Sequence, residues 1–536
     1  FLWGVLGCES FPEGQFQGFP TGRWSARGAF FEVGCVSTLM RGGLRLEHLL
    51  AVLGAAHLQE IRRPPRPAMI RVSGRVNRYP ARALLIWYTG LIVAGTGLLR
   101  LPWAAEDNVQ PISWSDAAFT ATSAACVTGL IVRDTPRDFS GFGEAVILVL
   151  IQLGGIGIMT VTTLVMLQLG GRFGLRERAV MNDTLGMGDV KDIRPVLKRV
   201  LGVTVVSELI GTALLFSRFA FDMPLGQALW QALFHSISAY CNAGFSLRSD
   251  NLMSFRDDPL VNLTIISLIV VGGLGVPVVN DLFRWFGPRV KRLRDRRRVK
   301  VGPTRELRLH TKLTLAVSGV LLIGGAAMVA LLESDGALRD LPWTGRLLVP
   351  LQHSASCRTA GFNSIDLNQF GIETLFISIA LMIIGGGSCS TAGGMKVTTV
   401  GLLVTHAWSR LRGRRHLNLY RRTIPGETIE RAFAITVLFG VIAFVLLGLL
   451  LVVDGRNYQA ENSPTPFLSA LFEVCSALGT VGLSLGLTTQ LSGLGRCIIM
   501  IAMMIGRLGP FAVFAATAAA ERTRQVEYAA EGPLLG

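Results

Sequence analysis

Four tripeptides carry the residues best placed to do chemistry: Val127-Thr128-Gly129, Asn242-Ala243-Gly244, Thr359-Ala360-Gly361 and Thr480-Val481-Gly482. None contains an acid, a base or an activated nucleophile, so the chemistry they offer is that of the backbone. Glycine tolerates dihedrals that other residues avoid, which lets an extended chain turn its carbonyls toward one point. A ring of such carbonyls replaces the hydration shell of a large monovalent ion that gives up water easily. Gly129, Gly244, Gly361 and Gly482 lie 115, 117 and 121 residues apart, each after a short apolar stretch and before a long one. Each long stretch carries further glycine 24 to 28 residues downstream: Gly154-Gly155, Gly272-Gly273, Gly385-Gly386 and Gly506. One such tripeptide would be unremarkable, since glycine is common where membrane helices pack closely. Four at one spacing mean one structural unit used four times.

Each unit requires a membrane span, a short helix, a loop and a second span. The expected spans are 83–101 and 142–169, 198–219 and 259–284, 310–332 and 371–408, and 430–453 and 493–519. The short helices are expected at 114–126, 226–240, 343–356 and 465–477, the first opening on the capping signal Ser113-Trp-Ser-Asp116. At 1.5 Å per residue such a helix is roughly 20 Å long, enough to enter a membrane and too short to cross it. Its C-terminus carries partial negative charge and would face the pore axis, where it favours a cation. The expected fold is an all-α membrane protein. Four span–pore-helix–filter–span repeats, with eight spans and four half-helices, surround one pseudo-four-fold pore. The repeats occupy 81–170, 171–290, 291–410 and 411–525, before a cytoplasmic tail at 526–536. Residues 1–80 are set apart as an extension, disordered or the product of a mis-set start at 1–68, because they are rich in Gly, Pro and Arg and hold no long apolar stretch.

The composition agrees. Of 536 residues, 50% are hydrophobic and 16% charged, against about 25% charged in a soluble domain, and the mean hydropathy is +0.47. The net charge of +16 does not indicate nucleic acid, because basic residues gather in loops between apolar stretches, most densely at Lys291–Lys300. Loops 170–199, 284–312 and 409–431 are basic, whereas 102–141 holds only Arg133 and Arg137 against five acids. The positive-inside rule makes the basic loops and both termini cytoplasmic, in a multi-pass inner-membrane topology. All four tripeptides then face outward. The eight cysteines form no C-x-x-C pair and show no zinc spacing, and are expected to be reduced, small apolar fillers. No transition-metal site is expected, and neither H-E-x-x-H nor a nucleophile–base pair suggests an enzyme.

Two further features stand within the spans. Gly385, Gly386, Gly387, Ser388, Gly393 and Gly394, with Lys396 just beyond, interrupt the third repeat's second span. Five glycines in ten residues cannot sustain a helix, at about 1 kcal/mol each, and broken backbone at membrane depth belongs where it lines a cavity. The stretch reads as a flap in the conduction path, against the blander reading of a tight helix crossing. Arg507 lies in the last span, where a charge costs roughly 2.5–3.5 kcal/mol. It reads as a positive barrier beneath the filter, or else as an anchor satisfied by carbonyls or a carboxylate. Glu208, Glu473, His235 and His353 read as polar anchors of the helices that carry them.

Ala125-Cys-Val-Thr-Gly-Leu130, Asn242-Ala-Gly-Phe-Ser246, Arg358-Thr-Ala-Gly-Phe-Asn363 and Gly479-Thr-Val-Gly482 resemble the four filters of the Trk/Ktr/HKT superfamily of potassium transporters. Residues 385–396 resemble its intramembrane gating loop, and Gly-Arg507-Leu-Gly-Pro its pore arginine. The match covers about 80–520. The resemblance implies potassium uptake by a bacterial Trk/Ktr-type subunit, with K⁺ the transported ion and Na⁺ a candidate activator. It implies a homodimer with one pore per protomer, bound to a cytosolic ring that binds the regulatory nucleotide. No cofactor is expected in this chain. Gly129 stands where sodium-selective relatives carry serine, which favours K⁺. An ion-coupled symporter on the same scaffold is the alternative.

Overall fold

The computed structural model describes residues 80–107, 111–170, 194–294, 306–414, 416–455 and 466–509. The N-terminal extension, most of basic loop 170–199, residues 295–305, the end of the last expected span and the tail lie outside them.

A long helix, a short helix, a loop and a second helix follow one another four times. The first set is α1 (Pro80–Leu99), α2 (Trp114–Ala125) and α3 (Gly141–Gly170). The second is α4 (Arg194–Phe219), α5 (Leu225–Cys241), α6 (Pro259–Leu274) and α7 (Val276–Arg294). The third is α8 (Leu309–Leu332), α9 (Trp343–Ser356), α10 (Ile372–Ile383) and α11 (Val397–Leu411). A two-stranded hairpin, Asn418–Leu419 with Arg422–Thr423, leads to the fourth: α12 (Gly426–Asp454), α13 (Pro466–Gly479) and α14 (Gly493–Leu508). By length and composition, α4, α8 and α12 can each cross a membrane, and α6–α7 make a fourth candidate if the bent pair is one span. The second helices fall short of that test for separate reasons. α10 is cut off by the glycine break, and α14 is described only to Leu508.

The short helices begin where the sequence caps them. Ser113 accepts a hydrogen bond from the Asp116 amide at 3.0 Å, which satisfies one of the N–H groups left open at the start of α2. The helices meet in three apolar clusters. One joins the first and second sets and reaches Ala360 and Phe362 of the third; another joins third and fourth. The third cluster packs Tyr88, Phe119 and Leu130 of the first set against Leu447, Leu478 and Met503 of the fourth. First and last sets are therefore neighbours, and the order closes on itself.

One expectation needs correction. Residues 259–284 were expected as a continuous span, but the chain turns by 101° between α6 and α7. Gly275 sits at the turn with φ +87°, a left-handed conformation that glycine adopts without penalty. The break strands the last carbonyls of α6 and the first N–H of α7, and the glycine-rich stretch of the third set satisfies them. Gly387 N donates to Gly273 O at 2.8 Å, Thr391 N to Gly272 O at 3.4 Å, and Val276 N to Cys389 O at 3.1 Å. The sequence signal was present in Gly272-Gly273-Leu-Gly275, but only the partner loop makes a bend there affordable.

Candidate functional site

The four tripeptides converge. Val127, Asn242, Thr359 and Thr480 all have positive φ, and two residues later so do Gly129 (+93°), Gly244 (+72°), Gly361 (+75°) and Gly482 (+89°). This shared alternation gives the four loops one backbone shape. A β-carbon on Gly129 would lie 2.4 Å from the carbonyl oxygen of Ala243, and one on Gly244 2.9 Å from that of Ala360. On Gly361 it would lie 2.6 Å from Val481 O, and on Gly482 2.1 Å from Thr128 O. Each glycine thus abuts the middle carbonyl of the next loop, and the fourth abuts the first. The circuit of backbone is closed, and it leaves no space for side chains at these positions. The hydroxyls of Thr128 and Thr480 are buried without a protein partner.

A serine that the sequence reading passed over supports each loop. Ser123, Ser238, Ser356 and Ser476 are all fully buried on the short helices. Ser123 and Ser476 each accept from the N–H of their loop's glycine, Gly129 and Gly482, at 3.1 Å. Ser238 donates to Phe245 O at 2.8 Å, and Ser356 donates to Phe362 O. The signal was available, since a serine precedes each glycine by five or six residues.

The downstream glycines also have a purpose. A β-carbon on Gly154, Gly272 or Gly506 would lie 2.0, 1.9 or 2.1 Å from Ala125 O, Tyr240 O or Leu478 O, near the end of the short helix in the same set. Glycine lets the second helix pass against those carbonyls. In the third set, Gly385 instead lies against the carbonyl of Gly393, within the glycine-rich stretch itself.

That stretch folds as a crossing under the loops. Gly385 N donates to Met395 O at 2.8 Å, Met395 N to Ile383 O at 3.2 Å, and Val397 N to Gly386 O at 3.1 Å, closing its neck. Gly386 and Gly387 lie against the carbonyls of Gly273 and Leu274. Ser388 O packs on Gly275, and the Ser388 hydroxyl lies 3.4 Å from that of Thr398. On the other side, Gly393 abuts the hydroxyl of Thr480 and Gly394 lies near Gly479 O. The Thr391 hydroxyl donates to Tyr240 O at 3.3 Å. The stretch therefore spans from the second set to the fourth, which stand opposite in the circuit. Lys396 folds back, its Nζ donating to Ala392 O at 2.7 Å and Gly393 O at 3.4 Å.

Arg507 joins this crossing to the first set. Its guanidinium donates to Thr391 O, to Gly154 O at 2.9 Å and to the Tyr88 hydroxyl at 3.2 Å, and Tyr88 donates to Gly154 O at 2.8 Å. Carbonyls of two sets thus hold the buried charge. His235 bonds Gln231 O and Ser246, and His353 bonds Ser378 at 2.8 Å. Both oxygens of Glu208 accept from Gln152, at 2.9 and 3.1 Å, and Glu473 accepts from Ser484.

A helical membrane protein with a closed backbone ring above a re-entrant crossing is the class that fold and site define. Residues 87–525 match the model of the TrkH family of cation transport proteins. The chain is 37% identical to the Ktr system potassium uptake protein B of Vibrio alginolyticus over 431 residues, 80% of this chain and 89% of that protein. It is 38% identical to the protein of the same name from Bacillus subtilis (strain 168), over 80% of this chain and 91% of that one. It is 32% identical to the potassium/sodium uptake protein NtpJ of Enterococcus hirae, over 87% and 99%. In structure it resembles the potassium transporter TrkH from Vibrio parahaemolyticus, with a TM-score of 0.64 at 18% identity, covering 91% of this chain and 96% of that one. The chain belongs to the TrkH family of cation transport proteins and is a Trk/Ktr-type membrane subunit.

Proposed function

We propose that this protein takes up potassium through a pore at the centre of its four repeats, with the tripeptides as selectivity filter and residues 385–396 as gate. The closed circuit of glycines and carbonyls carries this reading. Four equivalent carbonyls, those of Thr128, Ala243, Ala360 and Val481, meet around one axis with no acidic side chain among them. Such a cage suits a weakly hydrated monovalent cation. The names of the Ktr relatives favour K⁺ as that cation, and that of the Enterococcus relative adds Na⁺ as a second ion to test.

The crossing under the filter supports gating, since it lies against Thr480 at the filter's base. Arg507 acts as the fastener of the resting gate, and its charge adds an electrostatic barrier to cations below the filter. The protein sits in the inner membrane as a homodimer, basic loops and termini in the cytoplasm. A nucleotide-binding ring docks on that basic face, steered by opposite charge.

Uptake of K⁺, Rb⁺ and Na⁺ into proteoliposomes, with and without a Na⁺ gradient, tests this. K⁺ and Rb⁺ should enter in strong preference to Na⁺ without any gradient. Uptake that requires a Na⁺ or H⁺ gradient would replace the pore with a symporter. Equal uptake of Na⁺ would refute the filter.

A further inference from the structure

The bend at Gly275 sends α7 away from the span that precedes it. α6 has 16 residues and is about 24 Å long, against a hydrocarbon core of about 30 Å. A helix of that length, capped by Asp258 at one face, ends close to the opposite interface. A turn of 101° there lays α7 along the membrane plane.

The first turns of α7 are held in the protein. Val276, Val278, Asn280 and Asp281 are buried; Asn280 accepts from Arg199, and Asp281 accepts from the Arg308 amide at 2.9 Å. From there the helix emerges. Phe283 and Phe286 are 51% and 50% exposed, three residues apart and so on one face. Trp285 meets Phe286 edge-on, with ring centroids 4.6 Å apart. Arg284, Arg289, Lys291, Arg292, Arg294, Arg296, Arg297, Arg298 and Lys300 follow or interleave, with Asp295 the single acid among them. Exposed aromatics beside dense positive charge, on a helix parallel to the membrane, match an acyl boundary with anionic headgroups above it. A soluble partner would meet the charge but give no reason for two half-exposed phenyl rings at this depth.

We propose that α7 is an interfacial helix that binds anionic lipid headgroups, and that this contact biases the crossing 385–396. The link is covalent and short. The first N–H of α7, that of Val276, donates to Cys389 O, and Gly275 lies against Ser388 O. A tilt of α7 must move those bonds, so a lipid that pins α7 also pins the crossing. The binding half requires only a membrane protein with this bend. The regulatory half rests on the gate reading above.

The test uses the full chain with Phe286→Cys, carrying an environment-sensitive fluorophore, in vesicles of phosphatidylcholine with or without phosphatidylglycerol. Exposed Cys497, and Cys8 and Cys35, are replaced by serine, and the same protein lacking Phe286→Cys gives the background signal. Lipids brominated near the headgroup end of the acyl chain should quench the label, more strongly with phosphatidylglycerol present. Rb⁺ flux should change several-fold with phosphatidylglycerol. Replacing Arg289, Lys291, Arg292 and Arg294 by Gln should remove both lipid dependences and leave flux in phosphatidylcholine at the parental level. A label that no brominated lipid quenches refutes the interfacial helix. Quenching and flux that ignore phosphatidylglycerol refute the anionic site. Lipid-dependent quenching without lipid-dependent flux refutes the coupling, and absence of flux in every lipid refutes the transport reading while leaving the lipid site standing.

Discussion

Alanine at each filter glycine in turn makes a four-way comparison with its own control. All four glycines adopt positive φ, so every substitution incurs about 1–2 kcal/mol of left-handed strain. What differs is the carbonyl that the new β-carbon meets. At Gly482 it would stand 2.1 Å from Thr128 O, at Gly129 2.4 Å from Ala243 O, at Gly361 2.6 Å from Val481 O, and at Gly244 2.9 Å from Ala360 O. β-Carbons rarely approach a neighbour within 3.0 Å. Thr128 O must therefore retreat by roughly 1 Å for Gly482→Ala, whereas Ala360 O barely moves for Gly244→Ala. Losing one of four ion-facing carbonyls should cost K⁺ selectively, by about tenfold in preference over Na⁺ for each 1.4 kcal/mol. The preference, measured as competing Rb⁺ and Na⁺ uptake, should fall most for Gly482→Ala, then Gly129, Gly361 and Gly244. Gly129→Ser should follow Gly129→Ala, while thermal stability drops by similar amounts in all four. Equal losses of selectivity across the set, or a parental ratio in Gly129→Ser, would refute the assignment of these carbonyls to the ion.

Ser476→Ala strands the buried Gly482 N–H at a cost of about 1–3 kcal/mol; a lower melting temperature with reduced K⁺ preference is expected, and Ser476→Thr should restore part of both. Deleting Gly386–Ser390 should raise K⁺ flux in a protein of normal yield. Arg507→Ala removes bonds to both the crossing and Gly154, so flux should rise while stability falls; a stable variant with parental flux would rule out the fastener. Outside the spans, burial raises the Asp116 carboxyl, but hydrogen bonds from Arg133 and Ser113 and the Arg133 and Arg496 charges outweigh it and leave its pKa below the usual range. Its contribution is complete above the ordinary carboxylate value of about 3.9 and lost as pH falls through the depressed one. Acid should therefore loosen the Arg496–Asp116 contact between the fourth and first sets, and a melting curve of Asp116→Asn that kept the parental acid sensitivity would refute this. External labelling of a cysteine-free protein should modify Ser334→Cys and spare Thr304→Cys; the reverse would invert the topology.

The repeat was legible because its signals are local and periodic. Glycine before a long apolar stretch, a capping serine at 113 and a downstream glycine pair each follow from what one segment of chain can do by itself. The short helices of the structure, Trp114–Ala125, Leu225–Cys241, Trp343–Ser356 and Pro466–Gly479, fall within two residues of those expected at either end. The break at Gly385–Gly394 was likewise visible, since no helix tolerates that glycine density. Arg507 was legible as a costly charge, but not as a residue shared between Thr391 and Gly154, which are 237 residues apart in the chain.

The sequence by itself determined that there are four units and that each presents backbone, because composition and dihedral preference act within a few residues. It could not determine what each glycine was for. That Gly482 faces Thr128 O, that Gly154 faces Ala125 O, and that Gly275 bends because Ser388–Thr391 completes its hydrogen bonds are decided only when distant segments meet. A glycine records the absence of a side chain, and the neighbour that requires the absence comes from another part of the fold. The bend of α6 into α7 has the same origin: alone, the stretch 259–284 would keep its helical hydrogen bonds, and only a second broken chain offering donors and acceptors at the right height makes breaking them favourable.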